Sequence, residues 1–158
     1  MSAAIHTGGC QCGAVRYRAE GEIGFPHLCH CRMCQKAAGN FFIALIGVPR
    51  DAIAWTRGRP ATFNSSDKAA RGFCGDCGTP LLYDYFESKH INLTTGSFDD
   101  PGQFPPKMQF GIEARLPTFE CLPLREEGTT EETMHALVGA IKASNHQHPD
   151  HDTGTWPE

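Results

Sequence analysis

The sequence predicts a mainly β domain with one C-terminal helix. Most of the chain consists of short segments rich in aromatic and β-branched residues, and Gly or Pro separates these segments. A helical period of apolar residues occurs only near the C-terminus. Seven of the eight cysteines fall in short clusters between the predicted strands, where shared ligands can tie one strand to another.

The composition excludes several classes of protein. A chain of 158 residues with 40% hydrophobic and 20% charged residues is typical of one soluble globular domain. The formal net charge of -4 argues against a nucleic-acid partner bound through a basic surface. No apolar run approaches the roughly 20 residues of a membrane span, and the N-terminal sequence lacks a secretory pattern. We therefore expect a cytoplasmic protein with no membrane partner.

The first predicted elements surround the central cysteines. Residues 15–18 alternate apolar residues with Arg, which is the period-2 pattern of a half-buried strand. Residues 21–26 are typical of a turn, and residues 35–39 of one short helical turn that ends at Gly39. The apolar run over residues 40–48 is bounded by Gly and Pro, and its length favours a buried strand over a helix.

The second half of the chain continues the strand pattern. Two of its segments are separated by Ser66-Asp67-Lys68 and are predicted to pair as a hairpin around that turn. In chain order the predicted strands cover residues 52–58, 61–65, 70–73, 80–86 and 90–98, followed by a loop and by one or two irregular strands within 107–124.

The one predicted helix lies near the C-terminus. Thr129 and Glu132 match a capping box, and apolar residues then recur at helical spacing from Met134 to Ile141. These features predict a helix over about residues 130–143. Beyond it the chain is polar, rich in Pro and His and without a period, which predicts an irregular surface tail.

The cysteine spacing carries the chemical signal. Cys29, Cys31 and Cys34 lie within six residues, flanked along the chain by a C-x-C pair and a C-x-x-C pair. The thiolate is the form that binds a metal or attacks a carbonyl carbon. Thiols at this spacing are poor disulfide partners in a reducing compartment but good chelators. We therefore favour metal binding over a redox dithiol and over disulfides.

Seven clustered thiols divide most simply into a set of four and a set of three. Cys10, Cys12, Cys74 and Cys77 would close a tetrahedral site, which is chemically inert. Cys29, Cys31 and Cys34 would then fill three corners and leave the fourth exchangeable, which distinguishes a catalytic zinc site from a structural one. The alternative joins Cys31 and Cys34 to Cys74 and Cys77 as a zinc ribbon, and spacing alone leaves it open. Zinc is the expected ion because soft thiolates in a tetrahedron suit it.

Residues around the central cysteines have secondary roles. His30 is not expected to share a metal with Cys29 and Cys31, because adjacent side chains point apart, so we predict a local hydrogen bond for it. Three roles are open for Arg32 and Lys36: to offset the charge of the thiolates, to attract an anionic substrate, or to form an ordinary solvated surface.

The order of the cysteine motifs resembles the glutathione-dependent formaldehyde-activating enzyme family, whose relatives include centromere protein V. The motifs are Gly9-Cys10-x-Cys12-Gly13, Cys29-His30-Cys31-x-x-Cys34 and Phe73-Cys74-x-x-Cys77-Gly78. The resemblance implies an Mss4-like, tent-shaped zinc-containing β-sheet domain over residues 5–125, with the helix and tail in 126–158. It also implies two zinc ions per chain, a structural one at Cys10, Cys12, Cys74 and Cys77 and a catalytic one at Cys29, Cys31 and Cys34.

The resemblance further implies a reaction. The family's named activity is the condensation of glutathione with formaldehyde, a carbon–sulfur lyase reaction, so the expected partners are a small thiol and a small aldehyde. Gln109 and Thr118 stand where family members often carry His and Trp, which leaves the identity of the substrate open. Tyr83, Tyr85 and His30 are the candidate proton donors.

Two alternatives to the enzyme follow from the same residues. A non-catalytic zinc module that binds a protein partner predicts closed coordination at both metals, with Cys121 or a His as a further ligand, and an exposed apolar patch. A thiol redox switch predicts a reversible disulfide between Cys31 and Cys34.

Overall fold

The computed structural model describes residues 4–157, and this part of the chain forms two β-sheets. The smaller sheet is antiparallel and has the order β1-β2-β5, with β1 at Ile5–Gly9, β2 at Arg16–Glu20 and β5 at Ile53–Arg57. The mainly β fold predicted from the sequence is confirmed.

The larger sheet has seven strands and includes Cys29 and Tyr83 among the candidate site residues. Its neighbours are antiparallel except for the first pair, which is parallel. In spatial order the strands are β10 (Met108–Phe110), β3 (Gly24–Cys29), β4 (Ile43–Pro49), β9 (His90–Thr94), β8 (Pro80–Tyr85), β7 (Ala69–Phe73) and β6 (Ala61–Ser66). The hairpin predicted around residues 66–68 is the β6–β7 pair.

Strand β4 is buried on both faces. Ile46 and Val48 belong to the main core, which lies between the two sheets, whereas Ile43 and Leu45 belong to a smaller core on the opposite face. Successive side chains of a strand point to opposite faces, so a strand buried on both must be apolar throughout. This explains the continuous apolar run that predicted the strand.

The three α-helices of the described chain are short. Helix α1 covers Arg32–Ala38 and ends at Gly39 as predicted. The segment predicted as one helix over about residues 130–143 is divided into α2 (Thr130–Thr133), with the predicted capping box, and α3 (Val138–Ala143). Its apolar side chains are exposed rather than packed on a core, and an isolated helix of this length is marginal in water. Within residues 4–157 no helix combines the length and apolar character needed to cross a membrane.

One local expectation is wrong in part. Of the turn predicted for residues 21–26, only residues 21–23 lie outside a strand, and residues 24–26 begin β3, where a bulge at Phe25 and the missing N–H of Pro26 interrupt the strand pattern. Of the one or two irregular strands predicted within 107–124, one is present as β10, and 3-10 turns that include Pro117–Leu124 follow it. Proline supplies no N–H to a strand ladder, so such a segment cannot continue as a sheet.

Arg16 also departs from the pattern. The alternation of residues 15–18 places this side chain on the solvent face of a half-buried strand, yet it is only 3% exposed. Its Nη1 and Nη2 donate to both carboxylate oxygens of Asp99, at 2.7 and 2.6 Å. The ion pair supplies the counter-charge that burial of a guanidinium requires.

The C-terminal tail is irregular and mostly exposed, as predicted, and it is also anchored to the rest of the chain by hydrogen bonds. We define residues 145–157 as the C-terminal strap. The backbone N–H of His148 donates to the carbonyl of Gln11 at 2.7 Å, and Trp156 Nε1 donates to the carbonyl of Cys12 at 2.8 Å. Arg57 Nη2 donates to the carbonyl of Thr153 at 2.7 Å. The strap is therefore packed against the first cysteine pair.

Candidate metal centres

The first and last cysteine pairs form one cluster of four thiols. Cys10 and Cys12 follow β1, Cys74 and Cys77 follow β7, and their four Sγ atoms all lie within 4.8 Å of one another. The Sγ atoms of Cys10 and Cys12 are 3.5 Å apart, and those of Cys12 and Cys74 are 3.8 Å apart. A tetrahedron with zinc–sulfur bonds of about 2.3 Å has edges of about 3.8 Å, so the donor set fits zinc.

Backbone and hydroxyl groups around this cluster set the charge on its sulfurs. The N–H of Val15 donates to Cys10 Sγ at 3.2 Å. Burial raises the pKa of Cys12 to about 12. For Cys77 burial acts in the same direction, but hydrogen bonds from Thr79 outweigh it and lower the pKa to about 6. One thiol of the cluster is therefore ready to bind a cation as thiolate at neutral pH.

The central cysteines form a second cluster of three thiols. Cys29 ends β3, Cys31 precedes α1 and Cys34 lies in its first turn, and their Sγ atoms also lie within 4.8 Å of one another. Those of Cys29 and Cys31 are 3.5 Å apart, again near a tetrahedral edge. Among residues 4–157 no further Cys, His, Asp or Glu joins this cluster, and Cys121 belongs to neither set. The grouping of four and three matches the division that spacing favoured over a zinc ribbon.

The segment after β10 holds the loop of the three-thiol cluster in place. The backbone N–H of His30 donates to the carbonyl of Phe110 at 2.8 Å. Gly111 has a φ of 65°, and a Cβ there would lie 2.6 Å from the backbone nitrogen of Cys31. From the other side Gln35 Nε2 donates to the carbonyl of His30 at 2.7 Å. The close approach of two backbones therefore requires glycine at this position.

His30 makes the local hydrogen bond that its position predicted. Its buried ring places Nε2 2.9 Å from Oε1 of Gln109 and packs edge-on against Phe119. Gln109 is therefore a partner of His30 and does not line the cavity described next. Thr118 is exposed.

A cavity of about 200 Å³ lies over the three-thiol cluster, and all three cysteines line it. Arg71, Tyr83, Asn92 and Phe110 are among its other walls. A neighbouring cavity of about 440 Å³ shares Arg71 and is lined by Arg32 and Lys36, the two cations expected beside the site. The thiols therefore face a space that a small ligand can enter.

Arg71 is a site residue that the sequence analysis missed. Its Nη2 donates to Cys34 Sγ at 3.3 Å, and its guanidinium carbon lies 4.9 Å from the ring centroid of Tyr83. A hydrogen bond from Cys29 and the positive charge of Arg71 lower the pKa of Cys34 to about 5. The same hydrogen bond, together with burial, raises the pKa of Cys29. No sequence spacing links Arg71 to Cys34, and only the strand register brings them together.

The three candidate proton donors have different surroundings. Tyr83 lines the cavity, and burial raises its pKa, which keeps the phenol protonated at neutral pH. Tyr85 is exposed and its hydroxyl donates to Glu87 at 3.1 Å. The Nε2 of His30 is engaged with Gln109. Of the three, Tyr83 is therefore the candidate that lines the cavity above the thiols.

Comparisons with known proteins agree with the cysteine motifs. A family model described as glutathione-dependent formaldehyde-activating enzyme matches residues 5–114. A Schizosaccharomyces pombe protein described as an uncharacterized lyase is 28% identical over 85 residues, which cover 54% of this chain and 61% of that protein. The chain thus spans less than two thirds of the length of this curated relative. A crystal structure of a Rhodobacter sphaeroides protein has a TM-score of 0.54 and 16% identity, covering 65% of this chain and 98% of that one, which shows a shared fold.

Proposed function

We propose that the chain, which belongs to the glutathione-dependent formaldehyde-activating enzyme family, is a zinc-dependent carbon–sulfur lyase. The membership confirms the resemblance drawn from the cysteine motifs. The lyase named among the relatives supports the class of reaction. The reaction we propose is the addition of a small thiol, similar to glutathione, to a small aldehyde, and its reversal.

One observation carries the proposal: three thiols converge beneath a cavity and no fourth protein ligand joins them within the described residues. A catalytic zinc site keeps a position for substrate, whereas a structural site is closed by four protein ligands. The four-thiol cluster has the closed set and is proposed as the structural site. The three-thiol cluster has the open set and is proposed as the catalytic one, with Cys29, Cys31 and Cys34 as its ligands.

The proposed chemistry requires no oxidant or reductant. The sulfur of the thiol forms a bond to the aldehyde carbon, the carbon–oxygen π bond breaks towards oxygen, and the proton lost by the thiol is returned to that oxygen. Zinc bound at the three thiols would lower the pKa of a thiol that takes the remaining position.

The chain's own residues supply the remaining functions in this proposal. Tyr83, which lines the cavity and stays protonated at neutral pH, donates a proton to the new alkoxide, and the proton released by the thiol restores its phenol, so the net proton transfer is from thiol to oxygen. The apolar wall that includes Leu45 and Phe110 excludes water from the reacting atoms. The cavity of about 200 Å³ holds the reacting end of the substrate, and a thiol as large as glutathione extends past Arg71 into the neighbouring cavity.

The test is thiol–formaldehyde exchange measured by NMR on the zinc-loaded full chain. Wild type is expected to exceed the uncatalysed rate, and Cys31→Ser is expected to return to it, because the cluster then lacks one of its three sulfurs. Cys121→Ser is the matched control, since Cys121 lies outside both clusters, and it should retain the wild-type rate. Tyr83→Phe should slow exchange by about 100-fold or more, in the range of a general acid's contribution, whereas Tyr85→Phe should not. Equal rates in wild type and Cys31→Ser would refute the proposal.

A non-catalytic zinc module that binds a protein is the second candidate. The observation in its favour is that the apolar side chains of the C-terminal helices, Met134, Leu137 and Ile141, are exposed. This candidate predicts four protein ligands at both clusters and no acceleration of exchange in any variant. The same NMR experiment therefore distinguishes the two.

A further inference from the structure

Arg71 is a buried cation without a carboxylate partner. It lies on β7 directly opposite Tyr83 on β8 and Phe63 on β6, and the residue is only 5% exposed. In the part of the chain from residue 4 to 157, no Asp or Glu forms an ion pair with it. Its Nη2 donates to Cys34 Sγ, while Nε and Nη1 are buried and have no hydrogen-bond partner. The acidic groups described beside it are the thiols and the phenol of Tyr83, whose pKa burial raises, so the thiols are the groups that can supply a negative charge near neutral pH.

The burial of this charge has a cost that something must offset. A buried ion is tolerated when it is paired and hydrogen-bonded, and the other deeply buried arginine, Arg16, is paired with Asp99. Three thiolates with one divalent cation carry a formal charge of -1. Arg71, whose Nη2 is 3.3 Å from one of these sulfurs, brings the local total to zero. Without it, an anion entering the site would meet a negative cluster.

We propose that Arg71 gives the three-thiol site its preference for an anionic fourth ligand, so that the site takes thiolates and small anions more readily than neutral donors. The inference rests on the proposed function in one respect, namely that this cluster holds a divalent ion. It goes further in assigning the charge class of the ligand and the residue that determines it. Arg71 acts through its hydrogen bond to Cys34 and through the electrostatic field of its positive charge. It is therefore a positioning residue.

The second cavity supports the same preference. Arg71 is shared between the two cavities, and the rim of the larger one carries the exposed cations Arg32 and Lys36. A ligand reaching the thiols by this route passes three positive charges. A cleft lined by one sign of charge raises the local concentration of ligands of the opposite sign.

The experiment uses the full chain loaded with cobalt, whose absorption reports the exchange of its fourth ligand. The probes are 2-mercaptoethanol, which binds as thiolate, and imidazole, which binds as a neutral donor. Arg71→Met should weaken the thiolate at least tenfold and change imidazole by less than twofold. Arg71→Lys, which restores the charge, should recover most of the loss. The matched control Lys89→Met removes one exposed positive charge that lines neither cavity and should change both affinities by less than twofold.

Each outcome decides the proposal. Equal weakening of both probes by Arg71→Met, no weakening of either, or a Lys89→Met effect as large as that of Arg71→Met would overturn it and leave the proposed function standing. Failure of both probes to bind wild type would overturn the open site itself and the inference with it. If circular dichroism shows that Arg71→Met does not fold, Arg71→Gln, which keeps a planar donor without the charge, replaces it with the same expectations.

Discussion

At the scale of single residues, two buried arginines differ in the groups that offset their charge. Arg16 and Arg71 are buried to a similar degree, and each has a buried Nε without a hydrogen-bond partner, but the charge of Arg16 is offset by carboxylates whereas Arg71 faces a sulfur. Because a buried charge without a counter-charge lowers stability, thiolates of the three-thiol cluster are the groups that would offset the charge of Arg71 in the proposal above. The pair at Arg16 should instead contribute directly to folding.

The first residue-scale prediction concerns Asp99→Asn. Asp99 accepts hydrogen bonds from both terminal nitrogens of Arg16 and from Thr7 Oγ1 at 2.5 Å. Removing its charge leaves Arg16 with only Asp152, whose side chain is 47% exposed. We expect the free energy of unfolding in urea at pH 7 to fall by about 3 kcal/mol, as for a broken buried ion pair. Asp152→Asn is the matched control and should cost less than about 1 kcal/mol, as for a surface pair.

The pH dependence of this difference follows from the pKa of Asp99. Burial acts to raise that pKa, but the hydrogen bonds and charge of Arg16 outweigh it, so the folded value lies below the unfolded one. The unfolded chain then binds more protons, so the contribution is fully present above about pH 4 and is lost as pH falls through the folded pKa. The stability difference between wild type and Asp99→Asn should therefore shrink below about pH 4. A difference that stays constant down to pH 3 would contradict this assignment.

At the scale of elements, each thiol cluster is held by segments that are distant in sequence. Strand β4 separates the two cores, so that the core containing Cys10 and Cys74 and the core containing Cys34 lie on its opposite faces. Strand β10 pairs with β3 and brings Gly111 against the backbone of Cys31. The three-thiol loop is therefore fixed from outside its own sequence, which limits how far the cysteines can move when a ligand enters.

The element-scale prediction is that Gly111→Ala weakens metal binding at the three-thiol cluster alone. Besides the cost of about 1–2 kcal/mol for a left-handed residue, the new Cβ would lie 2.6 Å from the Cys31 nitrogen and would push the segment away. Gly39→Ala is the matched control, because Gly39 has a φ of 59° but meets no heavy atom within 4 Å. In cadmium-loaded protein, NMR should show the three-sulfur signal lost at lower chelator concentration in Gly111→Ala only. The same loss in Gly39→Ala would assign the effect to backbone strain.

At the scale of the whole molecule, local patterns predicted what depends on local sequence. The apolar run at 40–48 was sufficient for β4, and spacing was sufficient for the three-thiol cluster, because both depend on residues close in the chain. Spacing only favoured the pairing of Cys10 and Cys12 with Cys74 and Cys77, which are distant in the chain. Arg71 could not be assigned, since its contact with Cys34 depends on the register of β7. The start of strand β3 was not predicted, because its bulge and Pro26 interrupt the strand pattern of the sequence. The strap was missed because its anchors are single side chains without a period, such as Trp156.

The strap links the C-terminus to the first cysteine pair. Besides its hydrogen bonds to the carbonyls of Gln11 and Cys12, it packs His148 and Trp156 so closely against Gly13 that a Cβ there would lie 2.4 Å from the His148 ring. Asp152 adds an ion pair to Arg16. The loop that carries two cysteines of the four-thiol cluster is therefore covered by residues more than 130 positions away. A metal bound at this cluster should exchange more slowly than it would at an uncovered loop.

The whole-molecule prediction follows from this cover. Trp156→Ala removes the hydrogen bond to Cys12 and the ring packed on His148, whereas Trp156→Phe keeps an aromatic ring and removes only the donor. The loss of one hydrogen bond worth about 1 kcal/mol corresponds to a change of about fivefold in a rate constant. Zinc release from the four-thiol cluster to a chelator should therefore be at least about fivefold faster in Trp156→Ala than in wild type. The acceleration should be smaller in Trp156→Phe. His146→Ala, an exposed position in the same strap, is the control and should release zinc at the wild-type rate. Release from the three-thiol cluster should be unchanged in all three variants, because the described contacts of Trp156 lie at the first cysteine pair and within the strap. Equal rates in Trp156→Ala and wild type would show that the strap does not retain the metal.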